Sequence, residues 1–213
     1  MTRKAVRVLE DCPVLAVPRT PAGDSLALEI AQAGADLTDK EIHFIDFAMS
    51  RDEEKRRQAH RRAAEAVRAL LDRGTDVAMP VLGDVSLFAS SAYVAQLLEE
   101  EGCRCVRVPG VPSFCAAAAR LNMGLAEGAE EIHIIPATYQ VEDSLSLPGT
   151  KVLMKAGKQM GRVKEQLRKA GLSVAMVENC GMEGETLYRS LEEIGDHSGY
   201  YSLIIAKEGG EDE

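Results

Sequence analysis

An α/β fold in two domains is the class this sequence predicts, and three patterns predict it. In the first half, short apolar strands alternate with segments of helical spacing, the order that builds a parallel sheet. Two strand-turn-helix units then follow one another, the first turning at Gly83-Asp84 and the second at Pro109-Gly110. In the second half several strands share one clear helix, and two neighbouring strands near the end have no helix between them. Such a pair is antiparallel, so that sheet is mixed.

Residues 14–17 are a short apolar strand, 25–35 have helical spacing, and 41–47 form the second strand. A long helix is expected over 51–73, with Ala59, Ala63, Val67 and Leu70 on one face. Asp52, Glu53 and Glu54 in its first turn suit the helix dipole, and Gly74 closes it. The strand 76–82 ends in Gly83-Asp84, with a helix from near Ser86. The strand 103–108 ends in Pro109-Gly110, with a helix opened by Ser113. The first domain is therefore placed at 1–109 and the second at 110–213. The second has strands at 131–135, 151–155, 173–178, 186–190 and 201–207, a helix at 160–170, and an acidic tail expected to fray.

Composition narrows function. With 213 residues and 46% hydrophobic content the chain can bury a substantial core. A net charge of -9 opposes a sequence-independent grip on phosphate backbones, so no nucleic-acid partner is expected. The five cysteines lack the spacing of a disulfide framework or zinc site; reduced, mostly buried thiols are the ordinary reading and a reactive or ligating role the alternative. His43, His60, His133 and His197 have no ligand partner at i+3 or i+4, so no protein-built metal site is expected. With no signal peptide and no apolar run of about 18 residues, a cytoplasmic protein without membrane contact is expected.

Several residues have two readings. Asp84, at the carboxyl edge of a strand and after a Gly that lets backbone approach a ligand, is either a ligand-binding carboxylate or a helix N-cap. Ser113 suits both roles at once. Met154 is core or cofactor wall. Lys151, Lys155, Lys158, Arg162 and Lys164 are a local basic cluster, read either as a substrate grip or as a solvated helix face. Tyr139 is either hinge packing or a cofactor contact.

Gly83-Asp84, Pro109-Gly-Val-Pro-Ser-Phe-Cys-Ala-Ala-Ala-Ala-Arg-Leu121, Leu147-Pro-Gly-Thr-Lys-Val-Leu-Met-Lys-Ala-Gly157 and Tyr200-Tyr-Ser-Leu-Ile-Ile-Ala-Lys207 occur together and in order. In this combination the chain resembles the tetrapyrrole methylase superfamily, and within it the group that methylates C-20 of precorrin-2 in cobalamin biosynthesis. The resemblance implies two α/β domains with a cofactor cleft between them, a homodimer, S-adenosylmethionine as cofactor and precorrin-2 or its cobalt form as substrate. It further implies cofactor contacts at Leu82, Gly83, Asp84 and Leu87, at Pro112 and Ser113, at Met154 and Lys155, and at Cys180. A precorrin carries many carboxylates, for which Arg19, Lys158 and Arg162 are the candidate partners. No side-chain nucleophile is required, because the meso carbon of the conjugated macrocycle is itself nucleophilic.

The chain departs from that family in two places. Met1-Thr2 stands where members have a Leu-Thr opening the first helix, so the family's first strand and Gly-rich loop are expected upstream, roughly 10 to 20 residues of chain. Val85 replaces a frequent Pro, which alters turn rigidity only. Two other classes are open: an RNA-directed methylase of the same superfamily, which needs a basic surface, and a non-catalytic relic that binds cofactor or a partner.

Overall fold

A computed structural model describes residues 1–20, 22–47, 52–138 and 141–209, apart from the side chain of Lys158. Tyr139 and most of the acidic tail lie outside the described residues. The chain divides into two compact units, Met1–Pro112 and Ser113–Glu213.

The first unit is a parallel sheet with helices on both faces. Strand β1 (Val14–Arg19) lies between β2 (Glu41–Asp46) and β3 (Val77–Ala78), in the order β2-β1-β3. Alternation along β1 divides its side chains between two layers. Leu15 and Val17 meet Leu9 of helix α1 (Arg3–Asp11) and Ala31 of α2 (Leu26–Gly34). Ala16 meets Ala63, Ala64 and Val67 of α3 (Glu53–Leu71) and Val94 and Leu98 of α4 (Ser91–Glu100). Leu15 and Val17 are fully buried, worth about 1.5–3 kcal/mol each relative to exposure. The helix starts follow their caps: the side chain of Thr2 accepts from Ala5 N–H, that of Ser25 from Leu28 N–H, and that of Asp52 from Glu54 and Lys55 N–H.

Three segments of the first unit depart from the elements expected from sequence. The strand expected over 76–82 pairs only at Val77 and Ala78. The segment 103–108 is not a strand, although Cys103 and Cys105 both pack on the α3–α4 cluster. Its alternation was real, but a strand also needs a ladder partner, and none lies beside it among the described residues. The helix expected from Ser86 begins at Ser91 instead, because Phe88 sits at φ +52, a left-handed conformation that no helix interior tolerates.

The second unit is a five-stranded mixed sheet in the order β4-β5-β8-β6-β7. Its strands are β4 (Ile132–Pro136), β5 (Thr150–Met154), β6 (Leu172–Glu178), β7 (Thr186–Tyr188) and β8 (Ser202–Glu208). Strands β4 and β5 are parallel; the β5–β8, β6–β8 and β6–β7 pairs are antiparallel. Helix α7 (Met160–Ala170) buries Met160, Val163 and Leu167 against Leu153, Met176 and Ile204, and ends at Gly171 in the left-handed conformation. Helix α5 (Ser113–Leu121) packs on β6 and β8, and a short α6 (Glu142–Leu145), without a sequence signal, precedes β5.

Candidate functional site

In the first unit, the two turns singled out from sequence are locked together. The Asp84 carboxylate accepts from Gly110 N–H at 2.7 Å with one oxygen and from Ser86 N–H at 2.9 Å and the Ser86 hydroxyl with the other. These bonds, those to Ser86 foremost, hold its carboxyl below the usual aspartate range, so it is ionised at neutral pH. Gly110 is pressed so close to the other turn that a Cβ on it would lie 1.9 Å from the Gly83 carbonyl oxygen. Gly83 itself has φ +75, a conformation glycine adopts freely. The Thr2 hydroxyl donates to the Pro109 carbonyl at 3.0 Å and so ties the start of α1 to the second turn.

Asp84 is therefore neither a helix cap nor a carboxylate with every lone pair free. Three of its roughly four acceptor positions hold the two turns. Leu82 is left exposed beside the locked turns, while Leu87 and Pro112 are half-buried. Ser113 is the first residue of α5.

In the second unit, Met154 ends β5 and Lys155 turns the chain away at φ +63. The turn is tight: a Cβ on Gly157 would come within 2.9 Å of the Gly199 and Ser198 carbonyl oxygens. Strand register places Met154 opposite Leu203 and Val177 opposite the same Leu203, so the ends of β5 and β6 flank the start of β8. Two strand spacings separate them, about 10 Å. Met154, Lys155 and Cys180 thus share one edge of this sheet, where the exposed Tyr200 and Tyr201 rings also meet edge to face at 5.2 Å.

Cys180 lies in a loop with a clear support. Arg120 of α5 donates to Glu185 from Nε at 2.8 Å, and Glu185 accepts from Gly181 N–H at 2.7 Å. Arg120, and secondarily Gly181 N–H, hold the Glu185 carboxyl below its ordinary range. Burial chiefly, helped by Glu185, pushes the Cys180 thiol up, which opposes a nucleophilic role.

The basic cluster does not stay together. Lys151 is buried, Lys164 donates to the Ile194 carbonyl and the Asp196 carboxylate, and Arg162 donates to Glu142 at 2.9 Å. The Lys158 side chain lies outside the described residues. Arg19, at the end of β1, forks onto Asp46 at the end of β2 with bonds of 2.6 and 3.2 Å and covers the Phe44 ring. A carboxylate-bearing ligand at Arg19 or Arg162 has to share or displace these partners. Among the described residues no three His, Cys, Asp or Glu side chains form a metal-binding group.

Sequence reasoning missed Gly110 as a contact residue, although the Pro-Gly turn signalled it. It also missed Arg120 and Glu185, which are 65 positions apart and carry no local signal.

The family model for Tetrapyrrole (Corrin/Porphyrin) Methylases matches residues 1–195. A cobalt-precorrin-2 C(20)-methyltransferase of Salmonella typhimurium is 32% identical over 96% of this chain and 89% of its own length. A probable cobalt-precorrin-2 C(20)-methyltransferase of Methanocaldococcus jannaschii is 30% identical over 97% of this chain and 90% of its own. Among solved structures, a cobalt precorrin-4 methyltransferase superposes with TM-score 0.74 at 17% identity, covering 97% of this chain and 88% of that one. A uroporphyrin-III C-methyltransferase of Thermus thermophilus, complexed with S-adenosylhomocysteine, does so with TM-score 0.69 at 20% identity, covering 98% and 91%.

Proposed function

This chain belongs to the tetrapyrrole methylase family, and from that premise we propose that it transfers the methyl group of S-adenosylmethionine to C-20 of precorrin-2 or cobalt-precorrin-2 in cobalamin biosynthesis. The observation that carries the reading is the match, along nearly the whole chain, to relatives with that one reaction in their names.

The residues fit the cofactor. In the first unit exposed Leu82 and half-buried Leu87 offer apolar surface, and the Gly83 turn leaves backbone unshielded by a side chain; in the second, half-buried Met154 offers apolar surface of its own. Gly181 has open space where a Cβ would stand. We assign cofactor contacts to Leu82, Gly83 and Leu87, to Pro112 and Ser113, to Met154 and Lys155, and to the Cys180 loop. Asp84 acts by holding the turns and through its remaining lone pair. Arg19, Lys158 and Arg162 are assigned to substrate carboxylates.

When bound, the cofactor supplies an electrophilic methyl group on a sulfonium sulfur. The chain's task is then alignment and exclusion of water, because the meso carbon brings its own nucleophilic electron pair. In that transfer the carbon–carbon bond would form as the sulfur–methyl bond breaks, the sulfur would keep the electron pair, and the hydrogen of the meso carbon would leave as a proton to solvent. The reading also includes a cytoplasmic homodimer, which light scattering tests directly by mass.

The test is turnover. Purified protein with cobalt-precorrin-2 and carbon-13-methyl S-adenosylmethionine should give a product whose label resonates at C-20. Label at another ring position, or none despite measured cofactor binding, overturns the substrate assignment.

A further inference from the structure

At the opposite edge of the second sheet from Met154 lies a pocket of about 520 Å³, within the size range of small-molecule sites. Leu145 and Leu147 beside α6 form one apolar wall, with Ala170 at the end of α7 and Leu172 at the start of β6 facing them. Lys151, the second residue of β5, also lines it.

Lys151 is unusual for its burial, with a side chain only 1% exposed. A buried ammonium loses its hydration and needs an anion and hydrogen-bond acceptors in exchange. Its ion-pair partner among the described residues is Glu208, at 3.7 Å, beyond hydrogen-bond length. That same Glu208 oxygen already accepts from Gly149 N–H at 3.2 Å, and the side chain is 66% exposed. The three ammonium donors therefore lack a hydrogen bond to any described residue.

We propose that this pocket is a second ligand site, taking the carboxylate of a small molecule with an apolar body, with the carboxylate on Lys151 Nζ. The charge balance selects a monoanion. Glu142, Lys169 and Glu208 also line the pocket; Arg162 neutralises Glu142 and Glu165 neutralises Lys169, so the Lys151–Glu208 pair is left, and a phosphate dianion adds twice the negative charge of a carboxylate beside Glu208. The leucines then cover the ligand's body. The site is separate from the assigned cofactor edge, since Lys151 and Met154 are three strand residues apart, roughly 10 Å. It stands whether or not the methyl-transfer reading does.

Methyl NMR of leucine-labelled protein tests it with hexanoate, 1-hexanol and inorganic phosphate as probes. Hexanoate should shift Leu145, Leu147 and Leu172 saturably, and bind at least about tenfold tighter than hexanol, the ratio expected of one charge-assisted hydrogen bond. Lys151→Met should abolish that ratio. Leu147→Trp, which fills the mouth from an exposed position and leaves Lys151 in place, should weaken both organic probes and so serves if Lys151→Met does not fold. Equal binding of hexanoate and hexanol, phosphate binding as tight as hexanoate, or no saturable shift each overturns the proposal.

Discussion

Gly110 donates its N–H to the Asp84 carboxylate at 2.7 Å, and its own Cα packs so near the Gly83 carbonyl that no side chain fits between. One contact is polar and the other steric, and together they fix the distance between the turn at Gly83-Asp84 and the turn at Pro109-Gly110.

Gly110→Ala should separate those turns. Its Cβ would fall 1.9 Å from a backbone oxygen, which cannot rotate away. Overpacking of this kind costs about 1–3 kcal/mol, with a further share from the strained hydrogen bond. A drop of several degrees in melting temperature, with weaker S-adenosylmethionine binding by calorimetry, is the expected result. Unchanged affinity would detach the turns from the cofactor site.

Asp84→Asn and Asp84→Ala separate charge from shape. Because hydrogen bonds lower the folded-state pKa, the stabilising contribution of Asp84 is present above the ordinary aspartate pKa of about 4 and disappears as pH falls through the depressed value. Cofactor affinity of the parent protein should therefore hold down to about pH 4 and decline below it. Asp84→Asn should be weaker at neutral pH and flat across that range, and Asp84→Ala weaker again. A parent and an Asn variant with parallel acid profiles would remove Asp84 from the linkage.

Much of this was legible in the sequence because its signals are local. The buried face Ala59, Ala63, Val67 and Leu70 of α3 follows from helical spacing, and the mixed character of the second sheet from a missing helix, although which strands pair does not. The failures are where a distant partner decides. An alternating segment such as 103–108 is extended from its own pattern but becomes a strand only if a neighbour pairs with it. The basic cluster 151–164 looked continuous, yet β5 buries Lys151 and α7 turns Arg162 and Lys164 toward carboxylates contributed by other segments. Likewise, Asp84 was recognisable as important, but its commitment to Gly110 depends on how two turns meet in space.

Acid stability has a second identifiable source. Glu41 receives a fork of hydrogen bonds from Arg73 at 2.8 and 2.7 Å, with His43 as a lesser partner, and its pKa is lowered to about 2. A depressed carboxylate stabilises above its unfolded pKa, near 4.3, and loses that contribution between there and about 2. Glu41→Gln should therefore lower the melting temperature at neutral pH and shrink the gap to the parent as pH approaches 2. A gap that stays constant with pH would mean that the pair contributes packing only.

Arg120 should act on the cofactor through the loop it supports. Arg120→Ala removes the fork that holds Glu185, and with it the anchor of Gly181 N–H. Hydrogen exchange should then rise at Gly181, and the Michaelis constant for S-adenosylmethionine should increase more than kcat falls. Arg120→Lys, a point charge in place of a fork, should restore only part of the effect. Faster exchange with unaltered kinetics would confine Arg120 to a structural role.

Cys180 separates a contact residue from a reactive one. A methyl relay through its sulfur requires thiolate, and the environment works against that form: burial raises the thiol pKa, Glu185 adds to the rise, and only Arg120 opposes them. At neutral pH the group is a thiol whose surface is available for packing but whose electron pair is poorly nucleophilic. Cys180→Ser should therefore keep kcat within a few-fold of the parent and alter mainly the Michaelis constant for the cofactor, because hydroxyl and thiol differ little in size. Cys180→Leu, which fills the loop, should raise that constant much further. Alkylation by iodoacetamide at neutral pH should be slow at Cys180 compared with the exposed Cys115. Loss of turnover in Cys180→Ser with cofactor affinity intact would reverse the assignment and make the sulfur a chemical participant.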